Sequence, residues 1–64
     1  MHSDTDERLL TLKEVQHKTG LGRTTVYKMV KKGDFPPQVQ IGPRSVRWLQ
    51  TEIDHWINSR VERR

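Results

Sequence analysis

The chain has 64 residues, of which none is cysteine, and it contains no long hydrophobic run. The missing thiols exclude disulfides, thiolate nucleophiles and cysteine-based zinc sites. No apolar stretch approaches the roughly 20 residues that cross a membrane, and the polar, acidic N-terminus is unlike a signal peptide. We therefore expect one small cytoplasmic domain without a membrane partner.

The sequence also lacks the signatures of catalysis and metal binding. A chain of this length buries only about 60% of the surface that its unfolded form exposes, so a large enclosed active site is not expected. The three histidines have no metal-ligand spacing, and the three serines do not stand in a nucleophile context. These residues are His2, His17 and His55, and Ser3, Ser45 and Ser59. The sequence therefore predicts no enzyme, no metal site and no cofactor.

Positive charge is concentrated in the middle of the chain. The net charge is +4, from 12 basic and 8 acidic residues. Residues 12–33 contain six basic residues and one acidic residue, whereas residues 1–11 contain three acidic residues and one basic residue. A clustered basic field attracts polyanions and speeds their capture. This distribution favours a polyanionic partner.

A first short helix is predicted over residues 12–18. Thr11 has Glu14 three residues later, which is the spacing of a capping box. Leu10 and Val15 occupy the hydrophobic staple positions across that cap. Gly20 is expected to end the helix in a left-handed conformation.

A second helix is predicted over residues 23–32, with Gly22 as its N-cap and Gly33 just past its end. The prolines that follow prevent continuation, and Phe35 is expected to fold back onto the apolar face. Leu21 is expected to be buried between the two helices. Two short helices joined by a turn that contains glycine match the helix-turn-helix signature.

The two faces of the second helix differ in chemistry. Val26, Met29 and Val30 recur at helical spacing and are expected to face the core. The opposite side carries Thr24, Tyr27, Lys28 and Lys31. Cations pair with phosphates, and hydroxyl and planar groups can meet base edges, so this face suits a DNA groove. The alternative is a solvated basic helix.

After the second helix, the spacing of apolar residues changes from helical to alternating, which predicts a β-hairpin. Val39 and Ile41 predict a half-buried strand, residues 41–45 a turn, and residues 46–49 a second strand. Arg44 is expected at the hairpin tip and Arg47 on its open face.

The third helix is expected over residues 52–61, with Thr51 as its cap and Asp54 as a weaker capping partner. Its buried positions are Ile53, Trp56 and Ile57. Trp48 and Trp56 both lie in apolar patterns, which indicates that their side chains anchor the core rather than stack on nucleic-acid bases.

The predicted fold is mainly α with a small β-hairpin, a winged helix-turn-helix in the order helix, helix, hairpin, helix. We divide the chain into a disordered acidic tail at residues 1–8, a DNA-binding domain at residues 9–61 and a frayed C-terminus at residues 62–64.

The order and spacing of TGLGRTTVY, GDFPP, IGPRSVRW and EIDHWI resemble the AlpA family of small phage-related regulators, in the excisionase-like branch of the MerR-type winged-helix proteins. The resemblance covers nearly all of residues 9–58. Family members typically carry serine or a similar capping residue where this chain has Gly22.

The resemblance implies a second helix in the major groove and a hairpin that acts as a wing on the adjacent backbone or minor groove. By position, it implies helix contacts from Arg23, Thr24, Thr25, Tyr27 and Lys28, and wing contacts from Arg44, Ser45 and Arg47. It also implies control of transcription in prophages and genomic islands, or excision of such elements, and a location at the bacterial nucleoid.

Individual side chains admit further interpretation. Arg23 opposes the dipole of its own helix, which indicates an external anion. One of Thr24 and Thr25 is expected to touch DNA, while the other caps backbone amides. Tyr27 can pack its ring against the wing and offer its hydroxyl to a phosphate.

The remaining cations differ in their expected roles. Lys28 and Lys31 are expected to contact phosphates, whereas Lys18 and Lys32 are interpreted as solvated charges. For Arg47 the alternative to phosphate binding is an ion pair with a carboxylate of the third helix.

The leading hypothesis is a sequence-specific regulator that binds double-stranded DNA, with cooperative binding to a second copy on repeated sites. A second hypothesis is an excisionase that bends attachment-site DNA and recruits an integrase. A third is a protein-interaction adaptor that uses the third helix. RNA binding is disfavoured because Tyr27 alone makes a poor stacking platform.

Overall fold

The computed structural model describes residues 8–63 and has the predicted order of helix, helix, hairpin and helix, with one added strand. It confirms the mainly helical winged helix-turn-helix class. Residues 1–7 of the predicted tail and Arg64 lie outside the described residues. The elements are β1 (Leu9–Leu10), α1 (Leu12–Thr19), α2 (Arg23–Lys32), β2 (Val39–Gly42), β3 (Ser45–Leu49) and α3 (Gln50–Arg63).

Local capping explains where α1 and α2 begin and end. At the start of α1, the Glu14 N–H donates to Thr11 Oγ1 at 3.1 Å, and the Thr11 N–H donates to Glu14 Oε1 at 2.9 Å. This confirms the predicted capping box. Gly20 and Gly33 end the two helices at φ 77° and 81°, in the left-handed region that favours glycine.

The added strand β1 makes the hairpin part of a three-stranded antiparallel sheet in the order β1-β3-β2. Leu9 pairs with Leu49 and Leu10 with Trp48. The Gln50 N–H also donates to the Arg8 carbonyl at 2.8 Å, so the backbone contact extends one residue before the strand. A two-residue strand is too short to show an alternating pattern, which is why the sequence did not predict it.

A small core joins the three helices with β1 and β3. Its buried side chains are Leu10, Val15, Val26, Phe35, Trp48 and Ile53, and the partly buried residues that pack on them include Leu21, Met29, Val30, Trp56 and Ile57. The burial of Phe35, Val26 and Ile53 confirms the predictions for those positions. Leu21 is half-buried rather than fully enclosed.

Strand β2 differs from the prediction of half-buried alternation. Val39 is 37% exposed and Ile41 is 49% exposed. The strand lies at the edge of the sheet, and its register against β3 shifts between Gln40 and Gly42. An edge strand has a neighbour on one side only, and a bulge changes the direction of the side chains beside it, so alternation did not predict burial here.

The junction of β3 and α3 also differs from the prediction. Helix α3 begins at Gln50, directly after β3, so Thr51 lies inside its first turn rather than before it. Asp54, the predicted capping partner, forms an ion pair with Lys18, with Nζ and Oδ1 2.6 Å apart. The helix continues to Arg63, two residues past the predicted end at Val61.

Candidate nucleic-acid interface

One side of α2 is a shallow, open surface that gathers five of the predicted contact residues. Its lining residues are Arg23, Thr24, Tyr27, Lys28 and Lys31. Their spacing of three and four residues places them on one face of the helix. Val26 on the other side is fully buried, which fixes this face toward solvent. We call it the α2 face.

The first turn of α2 has no side-chain cap and no acidic residue. Its N-cap is Gly22, which makes no side-chain hydrogen bond to the helix. In α1, by contrast, Thr11 and Glu14 fill these positions. The N-terminal amides of α2 and the Arg23 guanidinium therefore contribute positive charge at one end of the α2 face.

Tyr27 links the α2 face to the sheet. Its ring is half-buried, with its centroid 6.2 Å from that of Trp48 and the two planes tilted by 59°. The Arg23 guanidinium carbon lies 6.0 Å from the same Tyr27 ring. The prediction that Tyr27 packs against the wing is confirmed, because Trp48 belongs to β3. Lys28, the next residue, is exposed.

The wing, formed by β2, β3 and the turn between them, presents Arg44 at its tip. Arg44 is exposed in the turn, and Ser45 is half-buried opposite Gly42. Gln40 Nε2 donates to the Gly42 carbonyl at 3.1 Å and reaches the Pro43 carbonyl at 3.4 Å. The Gln40 side chain thus holds the shape of the turn that carries Arg44.

The Arg47 side chain is less exposed than its predicted place on the open face of the hairpin implies. It is half-buried, and its Nη1 donates to the Val46 carbonyl at 2.8 Å. Among residues 8–63 it forms no ion pair with a carboxylate of α3, which was the alternative to phosphate binding. The pKa of Glu14 is lowered from its ordinary value of 4.5, first by the Thr11 N–H hydrogen bond, then by the Thr11 hydroxyl and by the charges of Arg8 and Arg47.

Thr25 and two lysines that were discussed in the sequence analysis lie outside the α2 face. Thr25 is exposed but does not line the α2 face, whereas Thr24 does. Lys32 is exposed in the last turn of α2, as expected of a solvated charge. Lys18, which was also interpreted as solvated, instead joins α1 to α3 through Asp54.

Two residues support the interface without having been predicted to do so. Trp48 was interpreted only as a core anchor, and its contact with Tyr27 brings it beneath the α2 face. Gln40 had no assigned role, although its place two residues before the glycine–proline turn put it within reach of the turn carbonyls.

Within residues 8–63, no group of three or more His, Cys, Asp or Glu side chains is arranged to hold a metal ion. Over the same range, no helix is both long and apolar enough to cross a membrane.

Comparisons with known proteins give one family. The family described as prophage CP4-57 regulatory protein (AlpA) matches residues 8–61. The uncharacterised protein ORF88 of Enterobacteria phage P4 is 46% identical over 57 residues, which cover 89% of this chain and 65% of the phage protein. The chain thus spans just under two thirds of that relative. The DNA-binding transcriptional activator AlpA of Escherichia coli (strain K12) is 33% identical over 68 residues, covering 97% of each protein.

Proposed function

Since this chain belongs to the AlpA family of prophage regulatory proteins, we propose that it is a sequence-specific regulator of transcription that binds double-stranded DNA. The observation that carries this proposal is the α2 face, where three cations, a hydroxyl and a phenol share one exposed side of a helix. An α-helix is about 10–12 Å wide with its side chains, and the major groove of B-DNA is about 12 Å wide.

In this proposal, α2 enters the major groove with its N-terminal end toward the DNA. Arg23 pairs with a phosphate or a guanine edge, supported by the uncapped amides of the first turn. Lys28 and Lys31 contact phosphates, and Thr24 and the Tyr27 hydroxyl supply shorter-range hydrogen bonds.

The wing contacts the flank of the site. Arg44 projects from the exposed turn and suits a phosphate or a narrow minor groove. Ser45 and Arg47 belong to β3, and in this proposal they contact the DNA backbone beside the turn. Because Arg47 is half-buried and its Nη1 donates to the Val46 carbonyl, it contributes less to phosphate binding than the exposed Arg44.

A double variant with a matched control tests the proposal. Arg23→Ala with Lys28→Ala removes two charges from the α2 face, and Lys13→Ala with Arg63→Ala removes two exposed charges elsewhere. The probe is the duplex that the wild-type protein selects from a randomised library. Affinity is measured by fluorescence anisotropy over a series of salt concentrations, and folding by circular dichroism.

The first double variant is expected to bind at least about tenfold more weakly. Its salt slope should be shallower by about 0.9 if Arg23 meets a guanine edge and by about 1.8 if it meets a phosphate, because each lost phosphate contact accounts for about 0.9. The control double variant is expected to stay close to the wild type in both. A folded first variant with wild-type affinity and slope, or a wild-type protein that selects no sequence, contradicts the proposal.

Excision is separated from transcription by a different measurement. The excisionase alternative uses the same helix and wing, so both functions predict the same binding curves. Recombination at an attachment site, assayed with an integrase in the presence and absence of this protein, distinguishes them. Dependence of excision on the protein supports the alternative.

A further inference from the structure

We infer that Tyr27 is a positioning residue, which couples the orientation of α2 in the major groove to the placement of the wing on the flank. This inference rests on the proposed DNA-binding function and assigns to the aromatic ring a role distinct from that of its hydroxyl.

The ring of Tyr27 lies between the two parts of the interface. Toward the sheet, it packs against Trp48 of β3 at 6.2 Å in a tilted arrangement. Toward the start of α2, the Arg23 guanidinium lies 6.0 Å from its centroid. Tilted aromatic pairs at this separation attract each other, and so do a cation and a ring face. One side chain therefore contacts a cation of the α2 face and the central strand of the sheet.

Trp48 is a fixed support for this contact. It is completely buried, and its strand is paired on one side with β1 and on the other with β2. Its indole Nε1 donates to the Pro36 carbonyl at 3.0 Å. A side chain held by packing, by two neighbouring strands and by a hydrogen bond has little freedom to move. Packing against Trp48 therefore fixes the position of Tyr27 relative to the sheet.

The wing is built on the same strand. Arg44 lies four residues before Trp48, in the turn that leads into β3. A rotation of α2 against β3 would change the separation between its cations and Arg44. The Tyr27 ring opposes that rotation, so both groups of cations are presented to a duplex in one fixed arrangement.

The test compares ring removal with hydroxyl removal. Tyr27→Leu removes the ring contact, Tyr27→Phe keeps the ring, and Ile57→Val is a control that alters a partly buried side chain on α3. Tyr27→Met replaces Tyr27→Leu if the latter does not fold. Hydroxyl-radical footprints are recorded at saturating protein on the duplex that the wild type selects from a randomised library.

Wild type and Ile57→Val are expected to protect both the centre of the site and its flank. Tyr27→Phe is expected to keep both footprints, although it binds more weakly because it lacks the hydroxyl that the proposed function assigns to DNA contact. Tyr27→Leu is expected to protect the centre but lose the flank, with affinity lower on the order of tenfold. Arg44→Ala should then weaken binding in the wild-type background and have little further effect in the Tyr27→Leu background.

Two results overturn the inference while leaving the proposed function in place. In the first, Tyr27→Leu keeps the flank or loses centre and flank together. In the second, Tyr27→Phe behaves as Tyr27→Leu, which would make the hydroxyl responsible. A wild-type protein that protects no duplex overturns the proposed function and this inference with it.

Discussion

Glu14 connects the start of α1 with Arg8. Its Oε1 accepts the Thr11 N–H, and its Oε2 lies 3.7 Å from Arg8 Nη2. Arg47 of the wing adds to the positive field around the carboxylate. The carboxylate form is therefore favoured in the folded protein, and the pKa of Glu14 is lower than in the unfolded chain.

This shift has a definite sign in the pH dependence of stability. A carboxyl whose folded pKa is depressed stabilises the protein fully above its unfolded value, here near 4.5, and loses that contribution as the pH falls through the folded value. We expect urea unfolding midpoints of the wild type to fall below about pH 4.5 more steeply than those of Glu14→Gln. Glu62→Gln, an exposed substitution in α3, is the control and should follow the wild type.

Thr24 and Thr25 form a matched pair for testing base reading. Both are exposed at the start of α2, but only Thr24 lines the α2 face. Alanine at either position improves helix propensity to the same small extent. Thr24→Ala is expected to relax sequence preference without changing the salt slope, because a hydroxyl carries no charge. Library selection with both variants checks this, and an equal effect of Thr25→Ala would contradict it.

The helices could be predicted well because their ends depend on local chemistry. The Thr11–Glu14 box, Gly20 and Gly33 each specify a backbone conformation within a few residues. Strand β1 and the junction at Gln50 depend on pairing with distant residues, which no local pattern records. The exposure of Ile41 likewise follows from its place in the sheet and from a register shift.

The candidate site was predictable to the same degree. Helical spacing identified Thr24, Tyr27, Lys28 and Lys31 of the α2 face, whereas Arg23 was identified from the family resemblance and from its place against the helix dipole. The partner of Lys18 could not, because Asp54 approaches it only through the packing of α1 against α3. Tertiary contacts of long, flexible cations are weakly encoded in any sequence window.

Substitutions at the two glycines that flank α2 are expected to change the free energy of unfolding in opposite directions. Gly33 has φ 81°, so Gly33→Ala is expected to destabilise the protein by about 1 kcal/mol. Gly22 has φ −79° and open space around its Cβ position, so Gly22→Ser adds an N-cap acceptor and should stabilise by about 0.5 kcal/mol. Urea unfolding of both variants checks the signs. Shifts in the same direction would contradict this account.

The described residues form a body whose longest extent is 38 Å. That length corresponds to about 11 base pairs of B-DNA, and a helix of ten residues spans about 15 Å, or about four base pairs. One copy therefore reads a short site. Useful specificity in a genome requires a second site or the deformation of the DNA.

We accordingly expect cooperative occupancy of two half-sites that lie one helical turn apart. Copies on the same side of the duplex can contact each other, whereas insertion of about five base pairs places them on opposite sides. Gel shifts on duplexes with the two spacings measure the effect. Occupancy that does not depend on spacing would indicate that single copies act independently.

The two tryptophans lie in different environments, so their intrinsic fluorescence can be used to follow the protein. Trp48 is enclosed beside Tyr27, while Trp56 is partly exposed, donates its N–H to the Asp34 carbonyl at 2.8 Å and lies under the Arg60 guanidinium, 4.7 Å from its ring. Indole emission depends on local polarity, so the two fluorophores should differ in wavelength and in quenching by solutes. Single-tryptophan variants would thus follow docking at the sheet and events at α3 separately, without any attached label.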